Sequence, residues 1–115
     1  MLKKIILIIS ILLFVSACGA APADNRTIDD FKVAYEAAGY EMDKPGEPVY
    51  TLIGAIGGTV FYVDGDKVAI YMYKDAAAIK SAVKNYPLIE GWPENGKFIL
   101  ESSNNRAIDF FMAIK

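Results

Sequence analysis

Histidine is absent from all 115 residues. This removes the commonest general base and the commonest metal ligand together. Cysteine occurs once, as Cys18. Basic residues are outnumbered, with 12 Lys/Arg against 14 Asp/Glu. A chain so balanced lacks the basic footprint that nucleic acid requires. There is no internal repeat, and no low-complexity tract outside the N-terminal segment. Nor does any apolar run reach the ~20 residues that cross a bilayer as a helix.

The longest apolar run, Ile5–Val15, is broken only by Ser10 and follows Lys3 and Lys4. A basic start, about a dozen apolar residues and a close on small residues form the pattern of a secretory signal peptide. The close itself, Val15-Ser16-Ala17-Cys18, resembles the lipobox of bacterial lipoproteins, with Val15 in place of the more usual leucine. That resemblance implies cleavage before Cys18 and a diacylglycerol on its sulfur. Two acyl chains anchor stably where one is marginal, at ~0.8 kcal/mol per buried CH₂. The competing reading is an ordinary signal peptide with a chance cysteine, or an uncleaved N-terminal anchor. The lipobox also implies an extracytoplasmic protein held at the cell membrane, with no thiol left for a disulfide.

Removing 17 residues leaves 98, enough for one domain and too few for two. Lys3 and Lys4 leave with the leader, so the mature chain carries 10 Lys/Arg against 14 Asp/Glu, four charges negative. That balance argues against a polybasic grip on anionic lipid. The expected organisation is a signal peptide at 1–17, a lipidated cysteine with a short tether at 18–26, and a single domain at 27–115. Fully extended, Gly19–Arg26 would reach only ~25–30 Å.

Within the domain, Thr27-Ile28-Asp29-Asp30 resembles a capping box. Phe31, Ala34, Tyr35 and Ala38 then recur at helical spacing, and Gly39 is placed to end a helix over 28–38. Residues 41–50, with Pro45-Gly46 and Pro48, read as a breaker segment. Residues 51–58 carry three glycines and read as a short strand or a close-packed turn. Thr59–Val63 and Lys67–Lys74, joined by Asp64-Gly65-Asp66, read as a hairpin. Asp75 can cap a helix bearing Ala76, Ile79, Ala82, Val83 and Tyr86 before Pro87 stops it. A turn at Gly91–Gly96, a strand at 97–101 and a helix at 104–114, capped by Ser102 or Ser103, complete the chain. The last helix would bury Ala107, Phe110, Phe111 and Ile114.

This is an α+β, two-layer pattern. It predicts a small mixed sheet of three to four strands with about three helices, in the order α-(β)-β-β-α-β-α. The strand–helix–strand step favours a right-handed crossover with the last strand parallel to the one before the helix. Helices packed mainly on one face are the simplest arrangement.

Few residues invite chemistry. Gly54-Ala55-Ile56-Gly57-Gly58 could cradle a phosphate, but it lacks the Lys-Ser/Thr of a P-loop and reads better as a structural turn or bulge. Asp29 and Asp30 suit a helix cap and dipole. Asp64 and Asp66 suit a turn and fall short of the ~6–8 oxygens that calcium takes. Glu90 and Glu94 bracket Trp92, yet two carboxylates need a cleft to hydrolyse a glycoside. No catalytic residue, metal ligand or cofactor is therefore expected. Tyr71 and Tyr73 could line an exposed sheet face with Phe61 and Val63, and with Trp92 they are the candidate partner-binding residues. The alternative is that these tyrosines fill the sheet as core.

Four segments of the domain are similar to those of small Gram-positive lipoproteins of no assigned activity. They are Ile53-Gly54-Ala55-Ile56-Gly57, Val63-Asp64-Gly65, Ile70-Tyr71-Met72-Tyr73 and Asn95-Gly96-Lys97-Phe98. The expected function is a membrane-anchored, non-enzymatic binding module for an envelope protein or glycan. The alternative is an accessory or regulatory subunit of a transporter or envelope complex that recognises a small ligand.

Overall fold

Thr27 and Asp30 start the first helix as their spacing predicts. The Thr27 hydroxyl accepts the Asp30 N–H at 3.2 Å, and the Asp30 carboxylate accepts the Thr27 N–H at 2.8 Å. In the computed structural model, which describes residues 23–115, this helix is α1 (Ile28–Ala37). It is followed by β1 (Asp43–Gly46), a 3₁₀ turn (Tyr50–Ile53), β2 (Gly57–Val63) and β3 (Asp66–Met72). Then come α2 (Ala76–Asn85), a second 3₁₀ turn (Pro87–Ile89), β4 (Glu94–Asn95), β5 (Phe98–Ser102) and α3 (Asn105–Ala113). The leader, Cys18 and the first part of the expected tether lie outside the described residues.

The fold is α+β, with three helices and one five-stranded sheet in the order β1-β2-β3-β5-β4. The sheet has one strand more than the upper expectation of four, and two of its strands form in stretches that glycine and proline marked as irregular: β1 in the 41–50 breaker segment and β4 in the Gly91–Gly96 turn. β1 forms across Pro45 with Lys44 at φ 48°, and β4 is only two residues long. Every pairing is antiparallel, so the parallel crossover between β3 and β5 does not occur. The chain leaving α2 first runs through β4 and then reverses at Gly96, whose φ is +61°. It therefore enters β5 from the end where β3 finishes, pairing Phe98 with Met72 and Ser102 with Val68.

The hairpin turn and the cap of α2 form where expected, and the cap of α3 does not. Asp64 and Gly65 take φ of 52° and 82°, the two positive values of a type I′ hairpin turn. Asp75 caps α2 through the Ala78 N–H at 2.8 Å. The cap of α3 is Asn104, whose Oδ1 accepts the Ala107 N–H at 3.0 Å. Ser102, one of the two expected caps, instead accepts the Asn104 N–H at 3.1 Å.

α1 and α3 lie on one face of the sheet. Phe31 and Tyr35 of α1, with Ala107 and Phe111 of α3, meet Phe61, Val63, Val68, Ile70, Phe98 and Leu100 in the main core. Phe31 sits 4.2 Å from Phe98 and 5.5 Å from Phe111, ring centre to ring centre. The Tyr35 hydroxyl donates to the Ala107 carbonyl at 2.7 Å, tying α1 to α3 inside that core. α2 and the two 3₁₀ turns pack on the opposite face, where Ile79, Ala82, Ile53 and Ile89 join Ala69, Tyr71, Tyr73 and Ile99.

The folded unit begins earlier than residue 27. Asp24 accepts the Lys97 N–H at 3.1 Å and binds the Arg26 guanidinium through both oxygens, at 2.8 and 2.9 Å. That guanidinium lies over the Phe31 and Phe98 rings, 5.1 and 5.5 Å from their centres, and reaches the Ile114 carbonyl at 3.4 Å. Residues 24–26 are thus a clip on the β4–β5 turn and belong to the folded unit, not to the tether expected over 18–26. Gly96 is required there twice, by its positive φ and because a side chain would collide with Asp24 and Arg26.

The Arg26 hydrogen bonds, only partly opposed by burial, hold the Asp24 carboxyl well below the usual carboxylate range. A depressed folded pKa means that the unfolded chain binds the proton more readily. The clip therefore stabilises fully above pH ~4 and weakens as pH falls below that value. Asp24→Asn should cost about 1–3 kcal/mol at pH 7 by leaving Arg26 without its charged partner. Its thermal midpoint should approach that of the wild type as the pH is lowered below ~4. A gap that stays constant from pH 7 to pH 2 would contradict the clip.

Candidate functional site

Register decides which side chains share the second face. A two-residue turn pairs Val63 with Asp66, and hence Phe61 with Val68 and Tyr62 with Lys67. Phe61 and Val63 accordingly belong to the main core, and Val60 and Tyr62 stand beside Tyr71. Reading Asp66 as part of the turn displaces this register by one residue, which moves every side chain of β2 to the other face. The expected exposed surface of Tyr71, Tyr73, Phe61 and Val63 is therefore not present.

The two tyrosines are core. Tyr73 is 1% exposed, and its hydroxyl donates to the Ile53 carbonyl at 2.6 Å. Burial, aided by nearby Tyr86, has its hydroxyl pKa pushed up to about 12. Tyr71 is 6% exposed and donates to Glu101 at 3.0 Å. Burial first, and then the Glu101 charge, drive its pKa upward as well. Trp92 is half-buried, with its ring 6.0 Å from that of Tyr71. Tyr71 and Trp92 are thus brought together, and Tyr73 lies deeper, under α2.

α2 covers only part of this face. Beyond it the sheet forms the floor of an open groove of about 410 Å³, made by Val60 and Tyr62 of β2, Lys67 and Tyr71 of β3 and Glu101 of β5. One wall is Pro48, Val49 and Leu52 around the first 3₁₀ turn, and the other is Leu88 and Trp92 around the second. Val49, Leu52 and Leu88 are 67%, 71% and 73% exposed, the highest values among the large apolar side chains described. The two charges of the floor neutralise each other, Lys67 Nζ to Glu101 at 3.0 Å. The groove is therefore apolar at its lips, aromatic along its floor and without net charge.

Sequence reasoning found Trp92 and Tyr71 but missed the lips. Val49 follows Pro48, and Leu88 follows Pro87, so both sit in segments where no helical or strand period exists to mark them. An apolar residue in a proline-flanked turn was the available signal.

The remaining candidates have structural tasks. Gly54 closes the first 3₁₀ turn at φ 72° with the Tyr86 ring against it. A side chain on Gly58 would press on Pro48 and the Ile70 carbonyl. Asp30 caps α1, Asp64 pairs with Arg106 at 3.0 Å, and Asp66 accepts from Asn104 at 3.2 Å. Glu90 and Glu94 are exposed and do not line the groove. Among the described residues no group of three or more carboxylates, histidines or cysteines could hold a metal ion, and no helix is long and apolar enough to cross a membrane.

Comparison with known protein families, curated proteins and solved structures finds no match. The site has to be read from its own chemistry.

Proposed function

We propose that this protein is an extracytoplasmic lipoprotein, anchored to the cell membrane through Cys18, that works as a non-enzymatic binding module at the cell envelope. The groove over Tyr62, Tyr71 and Trp92 is its docking surface. The observation that carries this reading is the exposure of Val49, Leu52 and Leu88 around a floor whose charges are already paired. Large apolar side chains gathered in one rimmed patch mark interaction sites. The anchor rests on Lys3, Lys4, the Ile5–Val15 run and Val15-Ser16-Ala17-Cys18.

Under this reading the clip shortens the leash. Five residues separate Cys18 from Asp24, a reach of about 20 Å when fully extended. The partner must then be found within a domain's length of the bilayer.

Two measurements test the proposal. Growth with a radiolabelled fatty acid should label the wild type and leave Cys18→Ala unlabelled; label that persists in the variant removes the anchor. A photo-crosslinking residue at position 88 should give adducts in intact cells that one at Val33, exposed on α1 across the sheet, does not. Equal adducts from both positions would remove the groove as the docking surface.

A further inference from the structure

We infer that the groove takes an extended, uncharged peptide segment of about three to four residues, presenting alternate large apolar side chains. The inference rests on the binding-module reading above and names the chemistry of its partner.

Size comes first. The floor crosses β2, β3 and β5, two strand spacings of ~4.8 Å, or ~10 Å in all. An extended chain advances ~3.3 Å per residue, so three to four residues fill that width. Alternate side chains on such a segment point the same way and can enter between the lips formed by Leu52 on one side and Leu88 on the other.

Polarity selects among occupants. Glu101 already receives the Tyr71 hydroxyl and Lys67, both at 3.0 Å, so a charged ligand finds no unpaired counter-charge. Lys67 and Glu101 nevertheless remain partly exposed, at 46% and 33% of their side chains. Their spare donors and acceptor lone pairs match the N–H and C=O groups of a peptide backbone. An acyl chain would cover the same polar atoms and return nothing to them. A glycan would need hydrogen-bonding groups where Val49, Leu52 and Leu88 stand. A two-fold pairing of copies through this face would press groove against groove, concave on concave.

Strand addition is not the binding mode. The edge at β1 carries Pro45 and the positive φ of Lys44, and the edge at β4 is two residues long. The segment has to be held by side chains in the groove.

Trp92 is the only tryptophan in the chain and lies in the groove wall, so its fluorescence reports occupancy. The test uses the full chain isolated from membranes and reconstituted in phosphatidylcholine vesicles. A capped pentapeptide alternating leucine and serine should shift Trp92 emission to the blue and saturate. The same peptide with aspartate for leucine should bind at least tenfold more weakly. Leu52→Asp and Leu88→Asp, both at exposed positions, should keep the thermal transition and weaken the leucine peptide at least tenfold.

Saturation unchanged in both variants would overturn the inference. So would quenching of Trp92 by brominated phosphatidylcholine without peptide, which would put the bilayer in the groove, or emission that depends on protein density, which would put a second copy there. Crosslinked adducts from position 88 with no response to the leucine peptide would retain the binding-module reading and reject the peptide chemistry.

Discussion

Replacing Tyr71 and Tyr73 together with alanine should erase the cooperative thermal transition. Tyr73 is enclosed by the first 3₁₀ turn, α2 and Ile99, and its hydroxyl holds the Ile53 carbonyl at 2.6 Å. Truncating a buried large aromatic to alanine costs ~3–5 kcal/mol, through lost transfer free energy and the cavity left behind. Two such losses rival the whole stability of a domain this size, ~5–14 kcal/mol at ~0.05–0.15 kcal/mol per residue. The Ile53 carbonyl would also lose its partner, at a further ~1–3 kcal/mol. Circular dichroism through a temperature ramp decides it. A double variant that melts with a midpoint near the wild type would return both residues to the surface. Tyr73→Phe separates the two contributions, since it keeps the ring and removes only the hydrogen bond.

Phe31→Ala carries the second large effect. Phe31 is fully buried and sits where α1, β5 and α3 converge, against Phe98 and Phe111 and beneath the Arg26 guanidinium. The expected loss is ~3–5 kcal/mol in urea denaturation, with the Asp24–Arg26 clip loosened at the same time because Arg26 loses one of the two rings it lies over. Val33→Ala, two residues away on the exposed side of the same helix, should change stability by no more than ~0.5 kcal/mol. Equal losses for the two variants would mean that α1 does not dock through Phe31.

The contrast between those neighbours shows which parts of this fold are legible in the chain. Thr27 and Asp30, Asp64-Gly65 and Asp75 act within three residues of themselves, so their roles follow from spacing alone. The α+β class follows from the alternation of those local elements. What escaped depends on partners far along the chain. Whether Tyr71 is covered depends on where residues 76–89 fold back, and the direction of β5 depends on a reversal at Gly96 that local pattern does not orient. The candidate site was half visible for the same reason. Trp92 and Tyr71 announce themselves as aromatic residues, but their closeness comes from β5 pairing beside β3. Leu52 and Leu88 lie 36 positions apart and become opposite lips only when both 3₁₀ turns reach the same face.

The outermost strands have a consequence for crowding. Sheets whose edges are long and flat act as templates, and copies concentrated together can zip edge to edge into fibrils. Here one margin is bent by Lys44 and denied an N–H by Pro45, and the other ends after Glu94 and Asn95. Neither offers a ladder long enough to be extended. Copies brought close together can collide without propagating strand into strand.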